Sequence, residues 1–445
     1  MTATRAAARS PHTSNPPHSQ LAARGASGAA ATIPFPALER LLRGQVLSRL
    51  SGLGHGCVVL EDSLGPVLLG NPVGTVTDLA VHVQVLDPAF YRAVALNGSV
   101  GAGEAFMAGL WRTNDLVSLV RLLVRNRDHL DGLEGGMARV SGWLLRAWYA
   151  VRSNTLTRAA RNAAAHYDLS NDFFALFLSP DLMYSSALWE GEADTLESAS
   201  LRKLERICHR LQLQPGDHVC EIGSGWGGFA FHAAEHHGCR VTTITLSRRQ
   251  YERVSQQIQE RGLNDRVRVL LQDYRELTGR YDKLVSIEMM EAVGAAYLET
   301  YFATLSRLLI PGGRALIQAI TIEDHRYARA LAGIDFIKRH IFPGSFIPSL
   351  QAILAAKMRA CDLALVHLED FAESYARTLQ EWRTRFMAHL AEVRGLGFDE
   401  RFIRKWEFYL AYCEGGFRER SIGVAQLVFD KPGITRAGAS ASTEA

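Results

Sequence analysis

No run of about 18 or more apolar residues occurs in the chain. No transmembrane helix is therefore expected, and a membrane would have to be met from its surface. Cysteine is also sparse. The six cysteines, at 57, 208, 220, 239, 361 and 413, form no CxxC pair, and no Cys/His group has zinc-type spacing. No metal is expected, and the thiols read as reduced, mostly buried groups of a cytoplasmic protein. Neither sign of charge dominates: 49 Lys+Arg against 46 Asp+Glu leave +3. So small an excess argues against a protein built on phosphate neutralisation, and no nucleic-acid partner is expected. Acidic residues are missing from 1–33, which is rich in Ala, Ser, Pro and Gly with Arg5, Arg9 and Arg24. It has no apolar h-region for a secretory signal. Its composition superficially resembles a transit peptide, but a disordered leader is the preferred reading. Residues 433–445 read as a second disordered tail.

What is present suffices for a large core. Hydrophobic residues make up 47% of 445 and charged residues 21%, and the length suggests two or three domains. Residues 34–135 read as a smaller α+β N-terminal accessory domain. PFPALERLLRGQVLSRL has helical periodicity, while CVVLEDS, GPVLLG and LAVHVQVLD read as strands. DPAFYRAVALNGSVGAGEAFMAGLW reads as helix, Gly-rich turn, helix. A second domain spans 136–432. Its beginning is helical, and from 210 short apolar runs (HVCEIG, RVTTITL, RVRVLLQD, YDKLVSIEM, GRALIQAITI) alternate with helical stretches. That alternation predicts an α/β, doubly wound Rossmann-like sheet. A helical, aromatic-rich cap insertion is expected over about 323–420, and SIGVAQLVFDK closes the chain as the last strand.

The strongest local signal is VCEIGSGWGGFAF, 219–231. An apolar strand ends at Glu221, Gly223, Gly225, Gly227 and Gly228 follow, and then a helix begins. Glycines permit tight turns and close approach of backbone to ligand. The spacing differs from the dinucleotide fingerprint and lacks a P-loop lysine. E-x-G-x-G after a first strand looks like motif I of S-adenosylmethionine-dependent methyltransferases. TLSRRQ (245–250) ends the second strand, where a ribose would be reached. QDYREL (272–277) ends the third, placing Asp273 and Tyr274 where an adenine amino group would lie. The fourth strand ends SIEMMEAVG. It has neither the Asn/Asp-Pro-Pro-Tyr turn of amino methyltransferases acting on bases nor a Pro-Cys nucleophile. It delivers Glu288 and Glu291 into an apolar setting, which is costly unless they are paired or functional.

With these motifs the chain resembles the cyclopropane-fatty-acyl-phospholipid synthase family, which includes the mycolic acid cyclopropane synthases. The resemblance is carried by HYDLSNDFFALFLSPDLMYSSALW (166–189), EIGSGWGG (221–228), TLSRRQ, VSIEMMEAVG (285–294), PGG (311–313), QAITI (318–322), DFIKRHIFPGSFIPS (335–349) and FRERSIGVAQLVF (417–429). It implies methyl transfer from S-adenosylmethionine to the cis double bond of an acyl chain, usually in a membrane phospholipid. The resulting carbocation loses a proton from the transferred methyl and closes a cyclopropane, with bound bicarbonate as base. The resemblance carries Tyr184, Ser185, Gly223, Gly225, Thr245, Leu246 and Gln250 to the cofactor. It carries Glu291, Ile320 and Tyr375 to the bicarbonate cradle. It also implies a cytoplasmic enzyme peripherally associated with the membrane, and makes a homodimer reasonable.

A carbocation needs a dry pocket with π or anionic stabilisation. The cap offers Tyr327, Phe336, Phe342, Phe346, Phe371, Tyr375 and Trp382, although ordinary core packing explains most such aromatics. Lys338, Arg339 and His340 are candidates for contact with anionic lipid, with a solvated charge cluster as the equal alternative. Two positions depart from the family pattern. Ser186 stands where many members have Cys, and Gln318 where many have His, both flanking the expected bicarbonate. Gln318 still donates a hydrogen bond but cannot shuttle a proton. The fate of the proton is thus less determined than the methyl transfer, and a methyl- or methylene-branched chain is the alternative product. Glu288 is a local acid/base group that could stand in. Two other readings are a methyltransferase of small apolar molecules and a catalytically weakened lipid-binding protein.

Overall fold

The computed structural model describes residues 35–71, 79–132 and 170–433. The expected disordered leader, most of the C-terminal tail and the first four residues of the HYDLSNDFF segment lie outside these. The first layer is a four-stranded sheet in the order β2-β1-β3-β4: β1 (Cys57–Asp62), β2 (Gly65–Gly70), β3 (Ala80–Val85) and β4 (Trp111–Thr113). Helix Ala37–Ser51 and helix Ala89–Met107 form where the periodicity placed them. The second helix is kinked at Gly98, whose φ of 55° suits a residue without a Cβ. Arg43 and Tyr91 both donate to the buried Asp62 carboxylate, tying helices to strand.

The larger sheet has seven strands in the order β10-β11-β9-β8-β5-β6-β7. Its parallel part comprises β5 (His218–Ile222), β6 (Arg240–Thr245), β7 (Val267–Leu271), β8 (Tyr281–Ile287) and β9 (Leu309–Ile322). These are the five apolar runs read from the sequence. The chain goes from β5 outward to β6 and β7, then returns to place β8 on the other side of β5. The order therefore reverses between β5 and β8, and a ligand crevice opens outside the strand ends at that point. β11 (Ile422–Asp430) adds antiparallel to β9, as expected of a closing strand.

The stretch read as a helical cap contributes an edge strand too, β10 (Ala364–Asp370), paired antiparallel with β11. Its side chains are mostly exposed, so no buried apolar run announces it. The rest of the cap is helical, with the long helices Ala372–Ala388 and Glu400–Arg418 packed together. Glu400–Arg418 also packs on helices Leu116–Arg125 and Ala89–Met107 of the first layer. One hydrophobic core runs through both: Phe106 meets Phe408 at 5.7 Å, and Phe336 lies against Gly103.

Candidate active site

A cavity of about 630 Å³ opens at the switch point, within the range of small-molecule sites. The glycine loop forms its floor. Gly223, Gly225 and Gly227 have φ of 97°, 50° and 91°, and the N–H groups of Gly223 and Ser224 donate to the Ile244 carbonyl. The loop is thereby anchored across β6. A Cβ on Gly225 would meet nothing within 4 Å, so this glycine faces open cavity, whereas one on Gly223 would press on Met289.

Every residue assigned to the cofactor from the sequence lines this cavity: Tyr184, Ser185, Glu221, Gly223, Gly225, Thr245, Leu246, Gln250, Asp273 and Tyr274. Their settings differ. The Thr245 hydroxyl donates to Gln250 Oε1 at 2.8 Å and also accepts from Ser247 N–H. Asp273 already receives the Arg275 backbone N–H at 2.9 Å and its guanidinium at 2.8 and 2.7 Å. An adenine amino group would share that carboxylate with Arg275. Burial pushes the Glu221 carboxyl up to about 8, and its Oε2 has no partner among the described residues.

Sequence reasoning missed Lys203. It is fully buried on helix Leu196–Leu211, and its ammonium donates to Ser185 Oγ at 2.7 Å. Burial lowers it to about 8, while Asp181, Glu288 and Glu221 favour its charge. A lysine within a helical run reads as a solvated face, so nothing in the pattern marked it.

The second group of assigned residues converges on one carboxylate. Ser186 N–H and Gln318 Nε2 each donate to Glu288 Oε1 at 2.8 Å, and the Tyr375 hydroxyl donates to Oε2 at 2.6 Å. Glu288, Glu291, Ile320 and Tyr375 line the cavity, while Ser186 and Gln318 stand fully buried behind Glu288. Glu291 accepts from Ile320 N–H. Burial, reinforced by the neighbouring Glu288, pushes Glu291 up to about 8. Burial also raises Glu288, against its three donors and Lys203.

The arrangement does not fit a free bicarbonate. The donors of Tyr375, Gln318 and residue 186 are spent on Glu288, and Ile320 N–H is spent on Glu291. The expected cradle is already filled by side chains of the protein, and no step is derived through that ion.

Of the seven cap aromatics, Phe342, Phe346 and Tyr375 line the cavity. Phe336 and Trp382 belong to the core, Trp382 packing on Tyr184 at 5.3 Å, and Tyr327 and Phe371 lie off the wall. Tyr409, Tyr412 and Phe417 of helix Glu400–Arg418 also line it. So do Ser99, Val120, Val124 and Arg127, so the first layer supplies part of the wall. The expected lipid-facing cluster is corrected. Lys338 is buried and donates to the Ala330 and Gly333 carbonyls, and Arg339 and His340 both pair with Glu104. Lys338 thus serves the cap's own packing, while Arg339 and His340 join the cap to helix Ala89–Met107 of the first layer. Away from the cavity, folding unites Cys208, His232 and His237, their ligand atoms within 4.8 Å of one another. The spacing gave no sign of this cluster. Glu205 partners both imidazoles at 3.1 Å, and burial raises the Cys208 thiol, keeping it protonated.

A family model described as Mycolic acid cyclopropane synthetase matches residues 154–427. The tuberculostearic acid methyltransferase UfaA1 of Mycobacterium tuberculosis is 34% identical over 415 residues, covering 90% of this chain and 96% of its own. The cyclopropane-fatty-acyl-phospholipid synthase of Escherichia coli is 35% identical over 352 residues, 78% of this chain and 87% of its own. The solved structure of mycolic acid cyclopropane synthase CmaA1, complexed with SAH and CTAB, aligns with a TM-score of 0.58 at 30% identity. It covers 61% of this chain and 98% of its own. The chain belongs to the mycolic acid cyclopropane synthetase family and is an S-adenosylmethionine-dependent methyltransferase, of a family that methylates or cyclopropanates lipid acyl chains.

Proposed function

We propose that the enzyme methylates the cis double bond of an unsaturated acyl chain in a membrane phospholipid and closes it to a cyclopropane. The observation that supports this most is the continuity of one cavity. Its lining joins the glycine loop, Glu288 and Tyr375 with an apolar arm of side chains that includes Ile322, Phe342, Phe346 and Phe417. S-adenosylmethionine, when bound, supplies the electrophilic methyl. The glycine loop, Tyr184, Ser185, Thr245 and Gln250 would hold it. The apolar arm orients the alkene and excludes water, which would trap a carbocation. The faces of Phe342, Tyr375 and Phe417 offer it π stabilisation.

A second reading, a methylene- or methyl-branched product, shares the methyl transfer and parts from the first at the proton. Gln318 favours it: beside the reacting region stands an amide that cannot carry a proton. The long match to UfaA1 points the same way.

The membrane surface is the expected partner. Helix Asp324–Ala332 buries none of its residues, brings Arg326, Arg329 and Ala330 to the cavity wall and leaves Leu331 42% exposed. Such a helix suits a peripherally associated cytoplasmic enzyme drawing an acyl chain from a bilayer. A homodimer is the assembly expected from the family resemblance.

Expression in a bacterium lacking its own cyclopropane synthase, fed methionine with a trideuterated methyl, separates the readings. Lipid mass spectrometry should find a saturated ring product retaining two deuterons. An olefinic branched product would establish the second reading instead. Unchanged lipids, with S-adenosylmethionine still bound, would exclude both.

A further inference from the structure

The anion position implied for this family is filled here by the protein itself. Glu288 follows the last residue of β8, and its own N–H donates to the Gln318 carbonyl at 2.7 Å. From that anchored backbone its side chain enters a ring of donors: Ser186 N–H, the Gln318 amide and the Tyr375 hydroxyl. A glutamate carboxylate and bicarbonate present the same planar pair of anionic oxygens. Both oxygens of Glu288 are engaged by donors, and the residue lies on the wall of the cavity that holds the glycine loop.

We propose that Glu288 is the proton acceptor of the reaction, a tethered replacement for a dissolved anion, and that turnover therefore needs no bicarbonate. This rests on the functional reading above. The alkene π pair forms the bond to the methyl carbon while the carbon–sulfur pair stays on sulfur, giving S-adenosylhomocysteine. The other alkene carbon becomes cationic. Glu288 takes a proton from the transferred methyl, and the released C–H pair closes the ring; in the branched product a 1,2-hydride shift first moves the cation to the methyl-bearing carbon, so that the same pair forms an exocyclic double bond. The proton then leaves Glu288 for water when the product departs.

Three further observations agree. The donors suit an ionised, acceptor-only group: a backbone N–H can only donate, and the amide is turned with its NH2 toward the carboxylate. Glu288 also holds φ at +48°. A half-buried, bulky residue pays roughly 1–3 kcal/mol for such a backbone and keeps it where the surroundings over-determine it, commonly at functional sites. Lastly, burial raises the affinity of Glu288 for a proton, which a general base near neutral pH requires. Glu291 is raised as well, by burial and then by Glu288 itself, which favours one charge rather than two on the pair.

The test uses the full-length enzyme with S-adenosylmethionine and vesicles of unsaturated phospholipid, in CO2-stripped and in bicarbonate-supplemented buffer. The wild-type rate should be the same in both. A rate that falls about tenfold or more on stripping, about 1.4 kcal/mol per decade, would overturn the proposal. Glu288→Gly suits the positive φ and empties the ring of donors. In stripped buffer it should lose about 10²- to 10⁴-fold in rate, the usual worth of a general base, while still binding S-adenosylhomocysteine. Added bicarbonate or formate should recover part of that rate. Wild-type turnover by Glu288→Gly in stripped buffer would refute the role. A readout free of lipid uses 13C-bicarbonate NMR on protein loaded with S-adenosylhomocysteine. The variant should bind the ion and the wild type should not; binding by the wild type overturns the proposal whatever the substrate. A wild-type enzyme that releases no S-adenosylhomocysteine with any unsaturated lipid, in either buffer, defeats the functional reading and the proton-acceptor role with it. Turnover that needs bicarbonate defeats the inference alone.

Discussion

Gln426 lies directly opposite Gln318 on the neighbouring antiparallel strand, and its amide donates to Gln318 Oε1 at 3.0 Å. That bond fixes which way the Gln318 amide faces, so its NH2 points at Glu288. Gln318→Leu should remove one donor to a charged group, costing roughly 1.5–3 kcal/mol. With its charged form less stabilised, Glu288 would bind its proton more tightly. The acid limb of the kcat/KM profile should therefore move to higher pH, with affinity for S-adenosylhomocysteine little changed. An unmoved limb would show that the amide does not govern the Glu288 charge.

Gly225 tests the cofactor loop. Its φ of 50° and the open space where a Cβ would stand place any side chain in the cavity. Gly225→Val should abolish S-adenosylmethionine binding by occlusion, with a backbone cost of about 1–2 kcal/mol from the left-handed conformation. Calorimetric titration and a thermal melt separate the two effects. Retained binding would contradict the placement of the cofactor over this loop.

The sheet and the cofactor loop were legible because both leave local marks. Parallel strands buried on two faces appear as uninterrupted apolar runs, and a backbone that needs φ > 0 beside a ligand appears as glycines at Gly223, Gly225 and Gly227. Edge strand β10 was not legible, since its exposed side chains form no such run. Lys203 and Gln426 were missed for another reason. Lys203 matters through Ser185 and the nearby Asp181, Glu221 and Glu288 carboxylates, Gln426 through Gln318 on the neighbouring strand, and single-sequence periodicity carries neither relation. Glu288 was visible as an acid in an apolar motif, but its convergence with Ser186, Gln318 and Tyr375 exists only after β8, β9 and helix Ala372–Ala388 meet. The Lys338–His340 cluster shows the opposite failure: adjacent basic residues looked like a surface patch, and folding turned them inward onto carbonyls and Glu104.

Leu331 probes the membrane surface. It is exposed on a helix that buries none of its residues and whose Arg326, Arg329 and Ala330 line the cavity. Burying a leucine in the interfacial region is worth at most about 1.5–3 kcal/mol. Leu331→Asp should therefore weaken co-sedimentation with anionic phospholipid vesicles about tenfold and lower turnover on vesicles, leaving cofactor affinity intact. Equal co-sedimentation of variant and wild type would move the membrane contact to another face.

Glu221 and Glu291 make a prediction about stability and pH. Burial raises both to about 8 from an ordinary value of 4.5. Between about pH 4.5 and 8 the folded protein holds protons that the unfolded chain has released. The stabilisation linked to these groups is therefore complete below about pH 4.5 and is lost as pH rises through 8. Other carboxylates act in the reverse direction at low pH. Glu197, held at about 2 by the Arg385 guanidinium, loses its contribution as pH falls. The informative quantity is thus the difference between proteins rather than the wild-type curve. The double variant Glu221→Gln, Glu291→Gln should show a flatter decline in urea midpoint from pH 6 to 8.5 than the wild type. Parallel declines would mean that neither carboxyl holds its proton in the folded state, and Glu291 would then carry a second negative charge beside Glu288.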